Sequence, residues 1–591
     1  MRAPQLLSFS LLGPPVSWAS DHADRGVLLS TLGGRVEVYA FDASSSPATL
    51  TKVTDRPQGT LGAAISAAGS LVYWFDDRSG DEVGRWVSHD LATGREVTLL
   101  PDLEATYTAG IEPLVSGAVV GRQANTGFEL AVVDADGQGR VVYSLDEPAE
   151  LVDVSSDESR ALVAFAPDGD WLHLGLRVIE LADGAVVAEV ARPGKDLQGV
   201  GFRPGDDAQV LLTHEPSDRR VPALWHTASG VIDDVEVALA GDVSAKWYPD
   251  GKALLLVVLE NARHSLARFD LDSKTLTDLR EADGVVPAVS ARPDGSVHLL
   301  HSRSDRPVSL GRLANGEVTD IVTLPGDRPA GSRPARDVFA DGPAGRVHAL
   351  LQLPSHGRAP YPTLFVPHGG PTAQDFDGWN DSLAAYLDHG YAVVRVNYRG
   401  STGYGAAWRD ALTRDIGHIE MADLTAIRDL LEADGVIDPD RTSITGGSWG
   451  GYLSLMAVSL QPERWRSAAA LVPVADWFTM TEDSPPFMQA YDRSLFGVSI
   501  ADQPDLYRAA SPITYVDDVV APLFVTAGEN DPRCPVRQID LYVEAVRQRG
   551  GQVQYDRLDT GHGLFDIDVR VHEVRRILDF ITATNPPVEA V

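Results

Sequence analysis

The stretch that decides how the chain folds is Thr445-Gly446-Gly447-Ser448-Trp449-Gly450-Gly451-Tyr452-Leu453-Ser454. It contains the pattern Gly-x-Ser-x-Gly, with Ser448 at its centre. Residues 443–445 before it are typical of a buried strand, and residues 452–457 after it are typical of a buried helix. A serine at the sharp bend between a strand and a helix is a nucleophile elbow, which holds the hydroxyl clear of the sheet. A glycine-rich turn that happens to contain serine is the alternative, and the pattern alone does not separate the two.

A serine hydroxyl becomes a useful nucleophile only when a base accepts its proton and an acid orients that base. In α/β hydrolases the chain order is serine, then acid, then histidine. Residues 521–528 form an apolar strand candidate before Asp531, and residues 553–558 form another before His562. We therefore predict Asp531 as the acid, 83 residues after Ser448, and His562 as the base, 31 residues further on.

Other residues fit these two roles less well. Glu529 lies closer to the end of its strand than the predicted acid does. His572 falls inside a helical pattern and is expected at the surface. Asp556 and Asp559 lie too near the predicted base in sequence to be its default partner.

An oxyanion loop is predicted upstream, where His368-Gly369-Gly370-Pro371 follows a strand candidate. A His-Gly-Gly segment after an early strand is the pattern of such a loop. Glycine allows the backbone to approach closely, so that an N–H group can point at the developing oxyanion. We predict the N–H groups of Gly370 and Trp449 as the two donors. His368 is expected to brace the loop rather than to take part in catalysis.

Four separated motifs stand in this order along the chain, with a fifth segment between the first two. They are His368-Gly369-Gly370-Pro371, Gly446-Gly447-Ser448-Trp449-Gly450-Gly451, Asn530-Asp531-Pro532-Arg533-Cys534-Pro535 and Gly561-His562-Gly563, and the intervening segment is Asn397-Tyr398-Arg399-Gly400-Ser401-Thr402-Gly403-Tyr404-Gly405. Together they resemble the prolyl oligopeptidase family of serine peptidases, most nearly its acylaminoacyl-peptidase branch. The resemblance is strong in the C-terminal part of the chain and rests on architecture alone in the N-terminal half.

This resemblance implies a hydrolase that acts on short peptides beneath a propeller that limits access. It also implies that Arg533 reaches the substrate backbone carbonyl next to the cleavage residue. Cys534 departs from the valine that is frequent in the family, and it places the chain's one cysteine beside the predicted acid.

The composition limits the classes of protein to which the chain can belong. At 591 residues it is too long for one core, so two or more domains are expected. A net charge of −34 argues against nucleic acid and anionic membranes as partners. A single cysteine excludes an intramolecular disulfide and suits a cytoplasmic location. No apolar stretch is long enough to cross a membrane, and residues 6–12 are interpreted as a strand that helps close the first domain, not as a signal peptide.

Residues 1–325 carry a repeat of short alternating apolar runs with a turn of the form Asp-x-x-Thr-Gly. After a first copy at residues 41–46, the copies end at Gly94, Gly137, Gly184, Gly230, Lys274 and Gly316, with spacings of 43, 47, 46, 44 and 42 residues. This is the period of four-stranded propeller blades. We therefore predict a seven-bladed β-propeller over residues 1–325. A two-sheet sandwich is the alternative.

Residues 326–336 are rich in proline and glycine and are predicted to be a linker. Strand and helix candidates alternate after it, so residues 337–591 are predicted to form an α/β-hydrolase domain around a doubly wound, mostly parallel sheet. The strand candidates are residues 346–353, 363–366, 392–396, 443–445, 468–472, 523–526 and 553–558. A helix with apolar residues at positions 424, 427, 430 and 431 is predicted to end near Gly435.

Other signals favour ordinary explanations. Residues 400–405 resemble a phosphate loop but lack its lysine, and the chain has neither a His-Glu-x-x-His pattern nor a cysteine cluster, so neither a cofactor nor a metal is predicted. Trp477 and Phe487 follow the fifth strand candidate of the second domain. We predict that they line an apolar pocket for a substrate side chain. Core packing is the alternative for both.

The sequence favours a serine peptidase that releases N-terminal or N-acylated amino acids from short peptides by acyl-enzyme chemistry. A dipeptidyl peptidase or an oligo-endopeptidase on the same triad is the second hypothesis, with Asp81 and Glu82 as candidate partners for a substrate ammonium. A non-catalytic propeller interaction protein is the third, and the intact Ser, Asp and His set argues against it. Short peptides are the expected partners, with neither nucleic acid nor membrane, and homo-oligomer formation is left open.

Overall fold

The computed structural model describes residues 12–45, 47–322, 333–413 and 415–587. The strand predicted at residues 6–12 and the linker predicted at residues 326–336 lie largely outside these ranges, and the predicted domain boundaries stay a prediction. The described residues form two compact units, one of residues 12–301 and 308–322, the other of residues 302–307 and 333–587. Within the described ranges, no helix has both the length and the apolar character needed to cross a membrane.

The first unit consists of seven four-stranded antiparallel sheets, each built from four consecutive strands. The predicted seven-bladed β-propeller is therefore confirmed. The strands are β1 (Leu12–Trp18), β2 (Arg25–Ser30), β3 (Glu37–Asp42), β4 (Thr49–Lys52), β5 (Ala63–Ile65), β6 (Leu71–Asp77), β7 (Gly84–Asp90), β8 (Glu96–Thr98), β9 (Tyr107–Leu114), β10 (Gly117–Ala124), β11 (Gly127–Val133), β12 (Gly139–Leu145), β13 (Ala149–Val154), β14 (Arg160–Phe165), β15 (Gly175–Glu180), β16 (Val186–Val190), β17 (Leu197–Arg203), β18 (Asp206–His214), β19 (Val221–His226), β20 (Val231–Asp234), β21 (Asp242–Trp247), β22 (Ala253–Glu260), β23 (Arg263–Asp270), β24 (Leu276–Arg280), β25 (Val285–Ala291), β26 (Val297–Arg303), β27 (Arg306–Ala314) and β28 (Glu317–Val322).

The recurring turn connects the third and fourth strands of a blade. In the second blade, Asp90 Oδ1 accepts hydrogen bonds from the backbone N–H groups of Ala92 (2.9 Å) and Thr93 (2.8 Å). Gly94 closes the turn at a φ of +70°, a region that glycine enters without steric cost. The turn requires a side chain that accepts hydrogen bonds from the backbone just after it, and then a residue with positive φ. Aspartate and glycine meet these requirements, which is why the turn is recognisable as a repeated sequence pattern.

Side-chain packing joins neighbouring blades, because each blade is a sheet of its own. Apolar clusters lie between all seven neighbouring pairs of blades. The cluster that closes the ring brings Leu28 and Phe41 of the first blade against Leu300 and Leu310 of the last.

A buried arginine reinforces this closure. Arg292, which directly follows the last blade's first strand, is 2% exposed. Its guanidinium donates hydrogen bonds to the carbonyl oxygens of Ala19 (2.6 Å), Ala23 (3.0 Å) and His22 in the first blade. Burial lowers the pKa of Arg292 to about 10, so the side chain stays charged at neutral pH.

The second unit is built on one eight-stranded sheet with the strand order β29-β30-β32-β31-β33-β34-β35-β36. The strands are β29 (Arg336–Gly342), β30 (Gly345–Gln352), β31 (Tyr361–Phe365), β32 (Ala392–Asn397), β33 (Ile437–Gly447), β34 (Ala468–Leu471), β35 (Leu523–Gly528) and β36 (Val553–Leu558). The helices are α1 (Asp381–Asp388), α2 (Ala406–Arg409), α3 (His418–Ala433), α4 (Trp449–Leu460), α5 (Trp477–Asp483), α6 (Pro486–Phe496), α7 (Pro504–Ala509), α8 (Val536–Gln548) and α9 (Ile567–Thr584).

The six strands from β32 to β36 in this order pair in parallel, whereas β29 and β30 pair antiparallel. This is the predicted α/β-hydrolase sheet, and each of its seven predicted strands overlaps an observed one. The sequence did not predict β29, whose charged and small residues lack a clear apolar alternation. α1 and α9 pack their apolar residues against the sheet in one cluster with Phe524 of β35. The predicted helix is α3, which ends at Ala433.

We predict that Arg292→Met weakens the closure of the propeller. The substitution removes the donors of three carbonyl groups, of which that of Ala19 is buried, and a hydrogen bond to a charged group contributes about 1.5–3 kcal/mol. The free energy of opening β1, β2, β25 and β26 should therefore fall by about 3 kcal/mol or more. Native-state hydrogen exchange, read by mass spectrometry of peptides from these strands, measures the change.

Arg95→Met is the matched control. Arg95 pairs with Asp136 at 3.1 Å, but the two side chains are 65% and 77% exposed. An exposed pair of this kind contributes about 0–1 kcal/mol. If the two variants lost equal protection, the closing role of Arg292 would be disproved.

Candidate active site

Ser448 occupies a strained bend between β33, which ends at Gly447, and α4, which begins at Trp449. Its backbone angles are φ 57° and ψ −119°, a region that costs a non-glycine residue about 1–3 kcal/mol. Two hydrogen bonds hold the bend: the Ser448 N–H donates to the Leu471 carbonyl at the end of β34, and the Ser448 carbonyl accepts from Tyr452 N, both at 2.8 Å. This is the strand–turn–helix geometry of a nucleophile elbow.

Steric crowding by backbone atoms explains most of the glycines around Ser448. A Cβ atom on Gly450 would overlap the Pro367 carbonyl oxygen. One on Gly446 would lie 2.6 Å from the carbonyl carbon of Gly450, and one on Gly451 would lie 2.7 Å from the Leu471 oxygen. Real Cβ atoms do not approach so closely, so three of the four glycines are required by the packing of the backbone. Gly447 differs, because a Cβ atom there would meet nothing within 4 Å.

The predicted oxyanion loop lies against the elbow. A Cβ atom on Gly369 would stand 3.6 Å from Ser448 Cβ and 4.0 Å from Trp449 N. Trp449 is the first residue of α4, so its N–H has no acceptor within the helix. Gly370 follows directly and has a φ of +132°. The loop and the first turn of the helix therefore present backbone N–H groups next to the serine, and Gly370 and Trp449 stay the predicted donors.

His368 braces this loop, as its sequence context suggested. Its ring stacks on that of Tyr398 with centroids 4.3 Å apart. Nδ1 lies 2.7 Å from the Gly369 carbonyl oxygen and Nε2 lies 2.8 Å from Ser401 Oγ. Burial lowers the pKa of His368 to about 4, so the ring is neutral. A neutral ring in these contacts donates from Nδ1 and accepts at Nε2, and both nitrogens are occupied in holding the loop.

The predicted acid and base are in contact. His562 Nδ1 lies 2.8 Å from Asp531 Oδ2, with the Asp531 side chain fully buried and that of His562 17% exposed. The second carboxylate oxygen, Oδ1, accepts from the N–H groups of Arg533 (2.8 Å) and Cys534 (2.9 Å). These bonds orient the carboxylate toward the imidazole.

The alternative acids have other partners. The Glu529 carboxylate lies 3.4 Å from the Arg557 guanidinium. Asp556 accepts two hydrogen bonds from Arg576, and Asp559 accepts one from Asn530. His572, the alternative base, is exposed on α9.

Cys534 lies beside the acid–base pair, with Sγ within 4.8 Å of an oxygen of Asp531 and a ring nitrogen of His562. Its thiol is 2% exposed and interacts with the Ser448 hydroxyl. Burial, together with the charges of Asp531 and Asp492, raises the pKa of the Cys534 thiol well above its usual value. In the described part of the chain, His562 donates to Asp531 and makes no hydrogen bond to Ser448.

The side chain of Trp449 is held by Glu420, a residue that the sequence analysis did not identify. Its indole Nε1 donates to Glu420 Oε1 at 3.2 Å, while Oε2 of the same carboxylate accepts from Gly417 N at 2.7 Å. Burial raises the pKa of Glu420 to about 8. The only signal in the sequence is an acidic residue in the first turn of a helix, and the pairing with a tryptophan 29 residues later depends on the fold.

The two residues predicted to line a substrate pocket have different environments. Trp477 is fully buried, and its ring packs against those of Trp449 (5.9 Å) and Phe496 (5.1 Å). This position favours the core-packing alternative for Trp477. Phe487 is only partly buried on α6, and its predicted role stays a prediction.

Residue Asp492 on α6 is a buried carboxylate. It is 3% exposed, and its Oδ2 atom has no hydrogen-bond partner among the described residues. Burial raises its pKa to about 7, although the neighbouring Arg493 acts in the opposite direction.

Comparisons with known proteins match the C-terminal region to one family of peptidases. Residues 375–585 match the model of the prolyl oligopeptidase family. The dipeptidyl aminopeptidase BIII of Pseudoxanthomonas mexicana is 28% identical over 597 residues, which cover 90% of this chain and 81% of that protein. The human acylamino-acid-releasing enzyme is 31% identical over 219 residues, which cover 35% of this chain and 29% of that enzyme.

Several other curated relatives are matched over less than two thirds of their own length. Among solved structures, a puromycin-hydrolyzing peptidase of Mycobacterium tuberculosis aligns over 99% of this chain and 96% of its own, with a TM-score of 0.80 and 20% identity. At that level of identity the structural likeness shows the fold, a propeller joined to an α/β hydrolase.

We predict that Gly450→Ala lowers kcat/KM for any hydrolysed substrate by about a hundredfold or more. The added methyl group overlaps the Pro367 carbonyl, so the oxyanion loop and the elbow must separate, and the loss of one oxyanion donor costs about 10²–10³ in rate. Steady-state kinetics on the purified variant measures the effect.

Gly447→Ala is the matched control within the same motif. It adds the same methyl group where space is free, so its kcat/KM should stay within a few-fold of the wild-type value. If Gly450→Ala were as active as Gly447→Ala, contact between the loop and the elbow would not set the site geometry.

We also predict that Asp492→Asn makes the stability of the second unit less dependent on pH. The pKa of Asp492 is raised from 3.8 to about 7, so the folded state binds more protons than the unfolded state between these values. Stability therefore falls as pH rises through that window, by up to about 4 kcal/mol for this group. Urea unfolding monitored by hydrogen exchange at pH 5 and pH 8 should show a smaller fall in Asp492→Asn.

Asp505→Asn is the control for this effect. Asp505 lies on α7, and its side chain is 93% exposed and pairs with Arg508 at the surface. Its substitution should leave the wild-type pH dependence in place. An unchanged pH dependence in Asp492→Asn would show that burial does not hold this carboxyl in its neutral form.

Proposed function

We propose, from the premise that the C-terminal domain belongs to the prolyl oligopeptidase family, that this chain is a serine peptidase that hydrolyses short peptides through an acyl-enzyme. The observation that supports this best is the Asp531–His562 pair, joined at 2.8 Å, together with a serine held in a strained elbow. A packing motif has no need of an ordered acid, base and nucleophile at the ends of three different strands.

In this proposal Ser448 Oγ attacks the scissile carbonyl while His562 Nε2 accepts its proton. Among the described residues the serine–histidine hydrogen bond is not yet formed, and catalytic hydrogen bonds often tighten only when substrate binds. Asp531 stabilises the imidazolium through Nδ1. His562 then gives its proton to the leaving amine, and water releases the acyl group by the same steps in reverse order.

The tetrahedral oxyanion is stabilised by the N–H groups of Gly370 and Trp449. Glu420 is a positioning residue for this oxyanion hole. Its carboxylate accepts a hydrogen bond from the indole of Trp449, whose backbone N–H is one of the two donors. His368 acts through its two contacts on the loop. Arg533, exposed next to the acid, positions the substrate backbone.

We favour an exopeptidase that releases N-terminal or N-acylated amino acids. Two observations support this choice: the four catalytic motifs, and the similarity of the C-terminal region to an enzyme named for releasing acylamino acids. We propose cytoplasmic action on peptides, without nucleic acid or membrane partners, and the single cysteine and the net charge of −34 support this part of the proposal.

A second candidate is a dipeptidyl aminopeptidase. It is favoured by one observation, that the relative with this name matches over 90% of the chain and so includes the propeller. Such an enzyme needs a carboxylate for the substrate ammonium. Asp81 and Glu82, in the turn between β6 and β7, stay candidates for it.

A paired measurement tests both candidates. kcat/KM is determined on an alanyl anilide with a free amine, on its N-acetyl twin, and on a dipeptidyl anilide. We expect the acetylated substrate to be preferred. Preference for the dipeptidyl substrate would replace the first candidate by the second, and Asp81→Asn with Glu82→Gln should then raise KM. Preference for the free single amino acid would indicate an aminopeptidase.

Ser448→Ala should lower kcat by about 10⁴-fold or more on whichever substrate is cleaved, because removal of the nucleophile abolishes the acyl-enzyme. A serine-directed phosphonate should label the wild type and not this variant, as read by intact mass. Full peptidase activity in Ser448→Ala would refute the proposed mechanism, and an unlabelled, inactive wild type would favour a non-catalytic propeller protein.

A further inference from the structure

The acid–base pair and the neighbouring thiol form a cluster of three potential metal ligands. One oxygen of Asp531, Sγ of Cys534 and one ring nitrogen of His562 all lie within 4.8 Å of one another. Across the described ranges, no other group of three such ligands comes this close together. The sequence predicts no metal, because the three residues do not form a recognisable motif and only the fold brings the histidine to the other two.

The local backbone builds this cluster. Asp531 Oδ1 accepts from Cys534 N at 2.9 Å, which folds residues 531–534 into a turn and brings the thiol to the carboxylate. Asp531 Oδ2 faces His562 Nδ1 at 2.8 Å. Two of the ligands are buried, while the side chain of His562 is 17% exposed and gives access from solvent.

We propose that Asp531, Cys534 and His562 bind a thiophilic divalent cation, with Zn²⁺ as the best fit, and that this binding reversibly inactivates the enzyme. Thiolate, imidazole and carboxylate are the three ligand types that Zn²⁺ takes in proteins, and three protein ligands plus one water is a common zinc set. The cation is an inhibitor here and not a cofactor.

The chemistry of binding is a metal-for-proton exchange without any redox step. The Cys534 S–H bond breaks, its proton leaves to solvent, and an S–Zn bond forms. Asp531 is already an acceptor, and His562 supplies a lone pair. If the histidine ligand is Nδ1, the proton that joins the ring to Asp531 moves to Nε2, which can then no longer accept the proton of Ser448. If it is Nε2, the metal occupies the nitrogen that must accept the proton of Ser448. Either arrangement removes the base.

The thiol is what separates this cluster from ordinary histidine–aspartate contacts in the chain. His226 and Asp233 pair at 3.0 Å on the propeller, but no cysteine accompanies them. Two ligands at an exposed site bind Zn²⁺ weakly, whereas a buried third ligand that is a thiolate adds both affinity and selectivity for soft cations.

Binding is tested separately from activity, because the inactivation part of the proposal rests on the proposed function. The full-length Ser448→Ala variant retains all three ligands. Co²⁺ is added to it in place of Zn²⁺, since thiolate-bound Co²⁺ gives a sulfur-to-metal charge-transfer band. We expect one equivalent of Co²⁺ to produce this band and one equivalent of Zn²⁺ to remove it. The same titration of Ser448→Ala/Cys534→Val should give no band.

Inhibition is then measured on enzyme with Ser448 intact. Zn²⁺ should inhibit the wild type and excess chelator should restore it. Cys534→Val should raise the inhibitory Zn²⁺ concentration by more than the roughly hundredfold that loss of an outer-shell partner costs, because a direct ligand is lost. His226→Gln, which removes the exposed histidine–aspartate pair, is the matched control and should leave the inhibitory concentration unchanged.

The outcomes are distinguishable. A charge-transfer band that appears in Ser448→Ala and requires Cys534 supports the metal site even if no peptide substrate is ever found. The proposal is overturned if Ser448→Ala gives no band and Zn²⁺ inhibits the wild type and Cys534→Val equally. Mg²⁺, which prefers oxygen ligands, should neither give a band with the thiol nor inhibit. Inhibition by Mg²⁺ equal to that by Zn²⁺ would also overturn the proposal.

Discussion

The active site depends on one close approach of backbone to backbone, that of Gly450 to the carbonyl of Pro367. This contact holds the loop that begins at His368 against the first turn of α4. It fixes the distance between Gly369 and Trp449 N, and it leaves Ser448 at a strained φ of 57° between them. Strain of this kind persists only where the surroundings determine the conformation. Here the conformation is held by the backbone hydrogen bonds of Ser448 to Leu471 and Tyr452. The buried ring of His368 holds the neighbouring loop.

The supporting groups around this contact act as neutral or hydrogen-bonded partners rather than as free charges. His368 is neutral because burial lowers its pKa to about 4, and Glu420 is held by two donors while burial raises its pKa to about 8. The ring of Trp477 packs against that of Trp449. Electrostatic stabilisation of an oxyanion requires donors that are already in place. A shell of packed aromatic rings and satisfied polar groups meets that requirement, whereas mobile charges would compete with the backbone donors.

The fold and the contact between Asp531 and His562 were predictable because each depends on local sequence. An aspartate that folds its own turn, as Asp90 does, recurs in several blades, at Asp42, Asp134 and Asp270. Each predicted triad residue follows a strand of its own. What could not be predicted depends on contacts between distant segments. β33 extends from Ile437 although only its last residues look like a strand, because Pro439 and charged neighbours hide the rest. The burial of Trp477 and the pairing of Glu420 with Trp449 likewise arise only when the helices pack together.

Cys534 is compatible with a serine nucleophile only because its environment keeps the thiol neutral. A neutral thiol is a weak hydrogen-bonding group, so Cys534 competes little with His562 for the Ser448 hydroxyl. A thiolate would bind the hydroxyl through a stronger, charge-assisted hydrogen bond and would place a negative charge beside the oxyanion that forms in the reaction. Burial and the charges of Asp531 and Asp492 all oppose that ionisation. The same carboxylate that orients the base therefore also protects the nucleophile from its neighbour.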